Sequence, residues 1–498
     1  MRIPLVLNAA DHLDSDLAVD GLTLLDATHG HWRWHYPGTP FMGIGPVLLS
    51  LPQALVWGVS PSTLVSGGVV AFLGLMLAGF LLARSAFGPS VAAWSMAPLA
   101  FSSTGAVWLS SRITGGHLLA AVWHAGAFAL LAESLVKGGR RRALALGFWC
   151  GIGLYLDSMF AVTIVGLLPA AFGSWLAEGR PRRGLLAASL ALLAFAAGFW
   201  PRPVGARLDP HDAYRDQFSI ASRPEVLLGH ARLLLTDCLP RLFSGHRLPG
   251  LETDPDPGSL AGRAPYRSRP RFDGVAACVV GLTAVVGLAS ILGLAGALAS
   301  GPRGGRAIAW GLLLSSAVTI AGFVLNRNIF NSDNYRYLVG LLVPWSLGFG
   351  LAADRIARRS VAARWAVSFF VVVLGLGVSA DVGRWYARFE WLDDHCRPVR
   401  KAVNDPALVW LRRHPDVEWI NGGYWDVYRL SFLTGGRVRG APFSVYPNRF
   451  PEWTPGPLGR QVALIRPTSE GAFFRGLALR AGDRVVHRER GFTILERP

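Results

Sequence analysis

Residues 12 to 43, HLDSDLAVDGLTLLDATHGHWRWHYPGTPFMG, gather the side chains best suited to chemistry: Asp14, Asp16, Asp20 and Asp26, then His29, His31 and His35 interleaved with Trp32, Trp34 and Tyr36. A carboxylate in such a stretch can act as a general base or ligate a metal. Ala18, Gly21, Leu22, Leu25 and Ala27 recur at helical spacing, which places Asp14 and Asp16 at the N-terminus of a helix. Capping alone accounts for an Asp in that place, because its side chain accepts from the open N–H groups of the first turn. The histidines have no acidic partner at ligand spacing and alternate with aromatics, the pattern of an interfacial belt rather than a zinc site, so no metal ligand is assigned among them.

Hydropathy decides which elements must hold this stretch. Of the 498 residues 51% are hydrophobic and 16% charged, with mean hydropathy +0.35, more apolar than a soluble globular chain. Apolar runs fall at 62–83, 91–111, 117–136, 184–201, 274–299, 307–325, 336–353 and 365–381. Residues 143–177 are too long for one crossing, and Asp157 near their middle marks a turn between two short helices. Residues 41–58, interrupted by Pro46 and Pro52, read as a partial or interfacial helix. The expected fold is a polytopic α-helical membrane protein of about 10 spans plus interfacial helices, with a small C-terminal α/β domain.

Charge predicts the orientation. Arg84, the cluster Lys137, Arg140, Arg141 and Arg142, then Arg180, Arg182 and Arg183, Arg303 and Arg306, and Arg355, Arg358, Arg359 and Arg364 share one side if 143–177 crosses twice. The short loops opposite offer little beyond Arg112, Arg327 and Arg336. Because Lys and Arg are retained on the cytoplasmic side, residues 12–40, 202–273 and 382–498 are expected to be extracytoplasmic. The +17 net charge is then largely a retention signal; no basic run alternates with aromatics as a nucleic-acid groove would, so nucleic acid is not an expected partner. The 11 arginines of 202–273, among them Arg202, Arg223, Arg241 and Arg271, suit either anionic membrane lipid or plain surface adhesion. A Cys238–Cys396 disulfide is compatible with an oxidising compartment, without support from spacing.

The tail is punctuated like a soluble unit. NDPALVWLRRHP reads as a helix capped by Asn404 or Asp405, VEWI as a strand, and YWDVYRLSFLTGG as a helix stopped by Gly435 and Gly436. QVALIRP, SEGAFFRGLALRAG and the pair RVVHRE and FTILE suggest strand, helix and hairpin, the last turning at Arg490 and Gly491. In the long loop, 223–243 forms an amphipathic interfacial helix on this reading, and 249–270 is a Pro/Gly-rich flexible segment. The expected divisions are 1–60 (first loop and interfacial helices), 61–201 and 274–381 (membrane helices), 202–273 (long loop) and 382–498 (α/β domain).

An acidic loop with SDLAVDG, a HYPGTPFMG segment leading into an apolar stretch, many spans and a tail together resemble the GT-C superfamily of membrane glycosyltransferases. The nearer likeness is to the bacterial branch related to protein O-mannosyltransferases and the lipid A aminoarabinose transferase. Asp16 matches that family's catalytic Asp, with Ala18 and Gly21 in step, and residues 35–43 match a later family segment. Leu17 stands where many relatives have a second acid, which leaves divalent-cation binding or acceptor activation open, with Asp14 as the substitute. The family also has a membrane helix before this loop; the expectation is that roughly twenty apolar residues flanked by a basic segment lie upstream of Met1.

The resemblance implies a bacterial inner-membrane enzyme of hexosyltransferase type. It would move a sugar from a polyprenyl-phosphate donor to a lipid, glycan or protein acceptor. Asp16 would deprotonate the acceptor, and the carrier phosphate would leave against cationic donors. Arg112, His117 and Arg336, all expected at outward helix ends, are the candidate phosphate partners, although interfacial arginines also snorkel to headgroups. Trp34, His35 and Tyr36 are candidates to line the sugar pocket. A transporter or flippase would need ionisable groups in mid-membrane, and the firm spans hold almost none beyond Glu133 at an end, with Asp157 at a turn. A non-catalytic envelope-assembly protein is the remaining alternative, and it predicts that Asp16 tolerates substitution.

Overall fold

The computed structural model describes residues 1–177, 181–214, 216–253, 267–443, 447–455, 459–466, 482–489 and 491–497. Among these, seven helices are long and apolar enough to cross a membrane: Pro61–Phe87, Leu118–Lys137, Gly184–Leu208, Gly274–Ser300, Arg303–Leu325, Ser332–Ala357 and Val361–Ala387. The run 143–177 forms two 17-residue helices, Arg140–Leu156 and Ala161–Ala177, turned at Asp157; each reaches about 26 Å at 1.5 Å per residue. Leu77, Leu192, Ile291 and Phe369 on these helices are 60–70% exposed. Side chains of that kind left outward in numbers are stable only in hydrocarbon. The chain is a polytopic membrane protein.

Two expected spans are built differently. Residues 91–111 do not cross as one helix: Pro98 lies in a helix Pro89–Ala100, and Ser103 caps a separate helix Thr104–Leu109 by accepting from the Ala106 N–H at 3.2 Å. Pro98 weakens the first helix by removing a backbone donor, and a hydroxyl before Thr104 offers the backbone a new start. The run expected at 336–353 begins earlier, as a 3-10 turn Ser332–Leu341 that passes into the helix Leu342–Ala357. Asn331 and Asn334 set this turn reciprocally: the Asn331 side chain accepts from the Asp333 N–H at 3.0 Å, and that of Asn334 from the Asn331 N–H at 3.1 Å.

Glycines let the helices meet backbone to backbone. Gly147 and Gly151 face Ala191, Phe195 and Gly198, and Gly166 faces Gly311, where a side chain would collide; such small-residue seams replace the hydrophobic drive that lipid does not supply. At one end of the bundle Arg355 donates to Ser300 at 2.8 Å and Ser90 to Asp354 at 2.5 Å. At the other, His246 meets Asp381 at 3.0 Å and the Ala221 N–H donates to the Leu325 carbonyl at 2.8 Å. The basic connections Arg303, Arg306 and Arg355 thus gather opposite to the loops carrying Asp16 and Asp157.

Those loops form a cap. Helix Ser15–Thr28 leads into an antiparallel ribbon of β1 (His35–Tyr36) and β2 (Thr39–Gly43); Gly38 between them has φ +66°, the left-handed conformation glycine accepts best. Short helices Gly45–Leu48 and Leu51–Trp57 occupy the expected interfacial segment. The helix expected at 223–243 runs from Pro224 to Ser244 through a π turn at Leu234–Cys238. The Cys238–Cys396 disulfide does not form: Cys238 is buried under Asn331 and Ser332, whereas Cys396 is exposed.

The tail is an α/β unit with a five-stranded sheet. Strands β3 (Val417–Gly422), β4 (Arg439–Pro442), β5 (Arg460–Ile465), β6 (Arg484–Glu489) and β7 (Phe492–Arg497) lie in the order β4-β3-β5-β7-β6. The first three are parallel, and β7 is antiparallel to β5 and β6. β4 has no counterpart in the sequence reading, since four residues with Gly and Pro carry no strand signal. Asp405 caps helix Pro406–Arg413 through the Ala407 N–H at 2.9 Å. Residues 254–266 of the flexible segment and 469–481 of the expected second tail helix lie outside the described residues. Helix Tyr424–Leu433 lies on helix Ser15–Thr28, where Gly21 makes room for the Phe432 ring and the Ser15 hydroxyl donates to the Tyr424 carbonyl at 2.5 Å. The tail is thereby fixed to the first loop.

Candidate active site

A cavity of about 340 Å³ opens where the cap meets the bundle. Its lining combines the polar Asp16, His117, Asp157, Arg336 and Arg449 with the apolar Phe41, Val162, Val318, Phe323 and Ile329. A molecule half charged and half hydrocarbon matches such a surface.

Asp16 sits in the first turn of its helix. Its Oδ1 accepts from the Tyr424 hydroxyl at 2.6 Å and lies 3.8 Å from Nη2 of Arg449, while Oδ2 lies 3.8 Å from Nη1 of Arg336. The Tyr36 hydroxyl donates to the Asp16 carbonyl at 2.9 Å. Burial pushes the Tyr36 and Tyr424 hydroxyls well above the usual tyrosine range, so both remain donors. Burial works against the Arg449 charge, but Tyr424, Tyr214, Tyr36 and Asp16 around it outweigh this and keep the guanidinium protonated. Arg449 also donates to Tyr424 at 3.2 Å and to the Pro37 carbonyl at 3.1 Å, and stacks 4.3 Å from the Tyr214 ring centre.

The other candidates divide. Asp14 caps the helix by accepting from the Leu17 N–H at 2.9 Å and pairs with Arg112 at 3.3 Å; burial raises its pKa against the opposing Arg112. Arg112 turns into the cap, where Nη2 donates to the His12 carbonyl at 2.9 Å and the guanidinium covers the Trp108 ring, while Nη1 is buried without a hydrogen-bond partner among the described residues. Neither Asp14 nor Arg112 lines the cavity. Trp34 packs on Trp200 and is 38% exposed, and His35 is tied to the Asp209 carbonyl at 2.8 Å; both also point away from the cavity. Tyr36 does line it, because neighbouring residues of a strand face opposite ways. His117 and Arg336 line it as well. Nε of Arg336 is buried without a hydrogen-bond partner among the described residues, and Nη2 reaches only the Tyr337 hydroxyl at 3.4 Å. A buried, under-satisfied guanidinium is a donor waiting for an anion.

Three contributors escaped the sequence reading: Arg449, Tyr424 and Asp157 on the cavity side. Arg449 lies between Pro447 and Pro451 in a fixed turn, where the Asn448 side chain accepts from the Phe450 N–H at 3.1 Å. That turn was detectable, its target was not. Asp20, one turn after Asp16, is buried and bonded to the Thr114 hydroxyl at 2.5 Å; burial pushes its pKa up to about 8, so it carries a proton near neutrality and acts as a strut under loop 112–117.

A divalent cation does not fit here. Two guanidinium groups already face the Asp16 carboxylate, Asp14 is committed to Arg112, and among the described residues no group of three His, Cys, Asp or Glu is placed to hold a metal.

No family model matches the sequence, and no curated protein matches it. The structure is similar to ArnT from Cupriavidus metallidurans in the apo state, with TM-score 0.61 and 12% identity over 97% of this chain and 93% of that one. It is similar to the same protein bound to undecaprenyl phosphate, with TM-score 0.59 and 12% identity over 99% and 95%. A third likeness is to the archaeal oligosaccharyltransferase AglB from Archaeoglobus fulgidus in complex with an inhibitory peptide and a dolichol-phosphate, with TM-score 0.51 and 12% identity over 86% and 60%. The chain has the GT-C fold. The likeness carried by SDLAVDG and HYPGTPFMG therefore holds for the architecture. Within the GT-C fold of this chain, the acid, the guanidinium groups and the apolar wall belong to one chamber.

Proposed function

We propose that this protein is a glycosyltransferase that moves a sugar from a polyprenyl-phosphate donor to an acceptor hydroxyl at the outer face of the bacterial inner membrane. The observation that carries this reading is the convergence of the Asp16 carboxylate with Arg336, Arg449 and His117 on a cavity that is also lined by apolar side chains. Among the structural neighbours, ArnT is solved with undecaprenyl phosphate and AglB with a dolichol-phosphate.

The chemistry follows from the atoms. Oδ1 of Asp16 is held by Tyr424, which leaves Oδ2 for an acceptor O–H. As Oδ2 takes that proton, the acceptor oxygen attacks the anomeric carbon and the bond from that carbon to the phosphate oxygen breaks. The electron pair stays with the phosphate, whose charge Arg336 meets through its unpaired Nε–H. The prenyl chain lies along Val162, Val318 and Phe323.

The test is turnover by the purified protein of a panel of undecaprenyl-phosphate-linked sugars, read as release of undecaprenyl phosphate in the presence of lipid, glycan and peptide acceptors. Release with one donor and acceptor pair supports the reading; no release across the panel, with folded protein, overturns it. Orientation is tested separately by single-cysteine labelling in intact cells. A probe at Trp425 is expected to react with an impermeant reagent and one at Arg140 only after permeabilisation; labelling of both from one side would refute the topology.

A further inference from the structure

His117 is held in a way its neighbours alone do not require. Its backbone is left-handed, φ +50°, a conformation that costs a non-glycine residue energy and persists where the surroundings fix it. Nδ1 meets Oδ2 of Asp157 at 2.6 Å. The second oxygen of Asp157 accepts from the Met159 N–H at 2.9 Å, so the carboxylate cannot rotate away. Both side chains are at least nine-tenths buried and both line the cavity. A carboxylate facing Nδ1 makes that nitrogen the proton carrier, and Nε2, without a partner among the described residues, is the one left to the cavity.

We infer, resting on the glycosyl-transfer reading, that Asp157 is a positioning residue that fixes the His117 ring with its proton-bearing Nδ1 turned to the carboxylate, and that Nε2 of His117 delivers a proton to the departing phosphate. The step balances. Asp16 takes the acceptor proton, the carbon–oxygen bond to phosphate breaks with its pair on oxygen, and that oxygen takes the Nε2 proton. Polyprenyl phosphate therefore leaves as a monoanion, and solvent returns a proton from Asp16 to His117. A leaving phosphate that gains a proton as its charge develops departs with a lower barrier.

The other charged or titratable groups around this imidazole oppose one another. Asp16 and Asp157 favour its cationic form, while Arg336 from Ser332–Leu341 disfavours it. Arg202 does likewise from beside Asp157, where it donates to Ser158 at 2.8 Å and to the Leu154 carbonyl at 2.9 Å. Tyr337 places its ring centre 5.2 Å from that of His117, and burial raises the pKa of Asp20 on Thr114. The carboxylate in direct contact with Nδ1 is Asp157.

Two measurements test this. The imidazole of His117, followed by nitrogen NMR in detergent without any donor, is expected to hold a proton on Nδ1; in Asp157→Asn that preference for Nδ1 over Nε2 should be lost, the effect of removing the acceptor that fixes the tautomer. An unchanged preference for Nδ1 overturns the role of Asp157 whether or not any donor turns over. In the transfer assay, rate should decline as pH rises and the Nε2 proton is lost. His117→Gln should abolish that limb and lower the rate about 10²- to 10⁴-fold. Asp157→Asn should move the limb to lower pH while retaining rate on its acidic side, which mere loss of packing would not do. An enzyme active on polyprenyl-phosphate sugars with an unmoved limb in Asp157→Asn would leave the glycosyltransferase standing and sink the proton delivery.

Discussion

Asp16→Asn is expected to lower glycosyl transfer about 10²- to 10⁴-fold, the usual contribution of a positioned general base, with insertion and thermal stability close to the parent. The amide is nearly isosteric and its oxygen can still accept from Tyr424, so the contact to the tail survives; what disappears is a carboxylate Oδ2 able to take the acceptor proton. Arg336 and Arg449 lose a counter-charge, but each has other contacts, to Tyr337 and to Tyr424, Pro37 and Tyr214. Asp14→Asn should behave in the opposite manner. It keeps a cap oxygen for the Leu17 N–H but strips the buried Arg112 of its partner charge, so stability should fall while transfer per folded molecule is retained. Transfer assays at matched membrane expression, with melting temperatures alongside, separate the two. Full activity in Asp16→Asn would refute its role as base and favour the non-catalytic alternative.

Arg336→Met is expected to cost about 10²- to 10³-fold in kcat, the scale seen when one preorganised donor to a developing anion is removed. Methionine keeps the unbranched apolar stem and loses the charged guanidinium, and the 3-10 turn is held by Asn331 and Asn334 rather than by this side chain. If Arg336 meets charge that develops as the phosphate leaves, kcat falls and KM changes little; if it merely anchors the donor, KM rises with kcat intact. Arg336→Lys should recover part of the loss as a point charge without the fork. An Arg336→Met enzyme with parental kcat and KM would remove Arg336 from the mechanism.

The scaffold was the legible part of the sequence. Hydropathy finds a helix that must sit in lipid because the signal is summed over some twenty residues, and the single acid in 143–177 was enough to locate a turn. Pro98 was visible too, but a window average over 91–111 smooths over one missing backbone donor and reports a continuous span. The site was legible only on its local side. Helical spacing put Asp16 beside a cap, yet nothing within thirty residues could reveal that Tyr424 and Arg449 close over it from the tail, because that proximity is created by packing Gly21 against Phe432. The WHY triplet was read as one candidate surface; a two-residue strand sends Tyr36 inward and His35 toward Asp209, a split visible only once the strand is known.

Joining Asp16 to Tyr424 also orders events in time. The two are separated by 408 positions, and at roughly 5 to 20 residues per second a ribosome needs about 20 to 80 seconds to travel from one to the other. Throughout that interval the bundle assembles around an unclosed chamber, with neither the hydroxyl that orients Asp16 nor the Arg449 charge beside it. Until Tyr424 and Arg449 have been made, the chain therefore lacks two of the groups that surround Asp16.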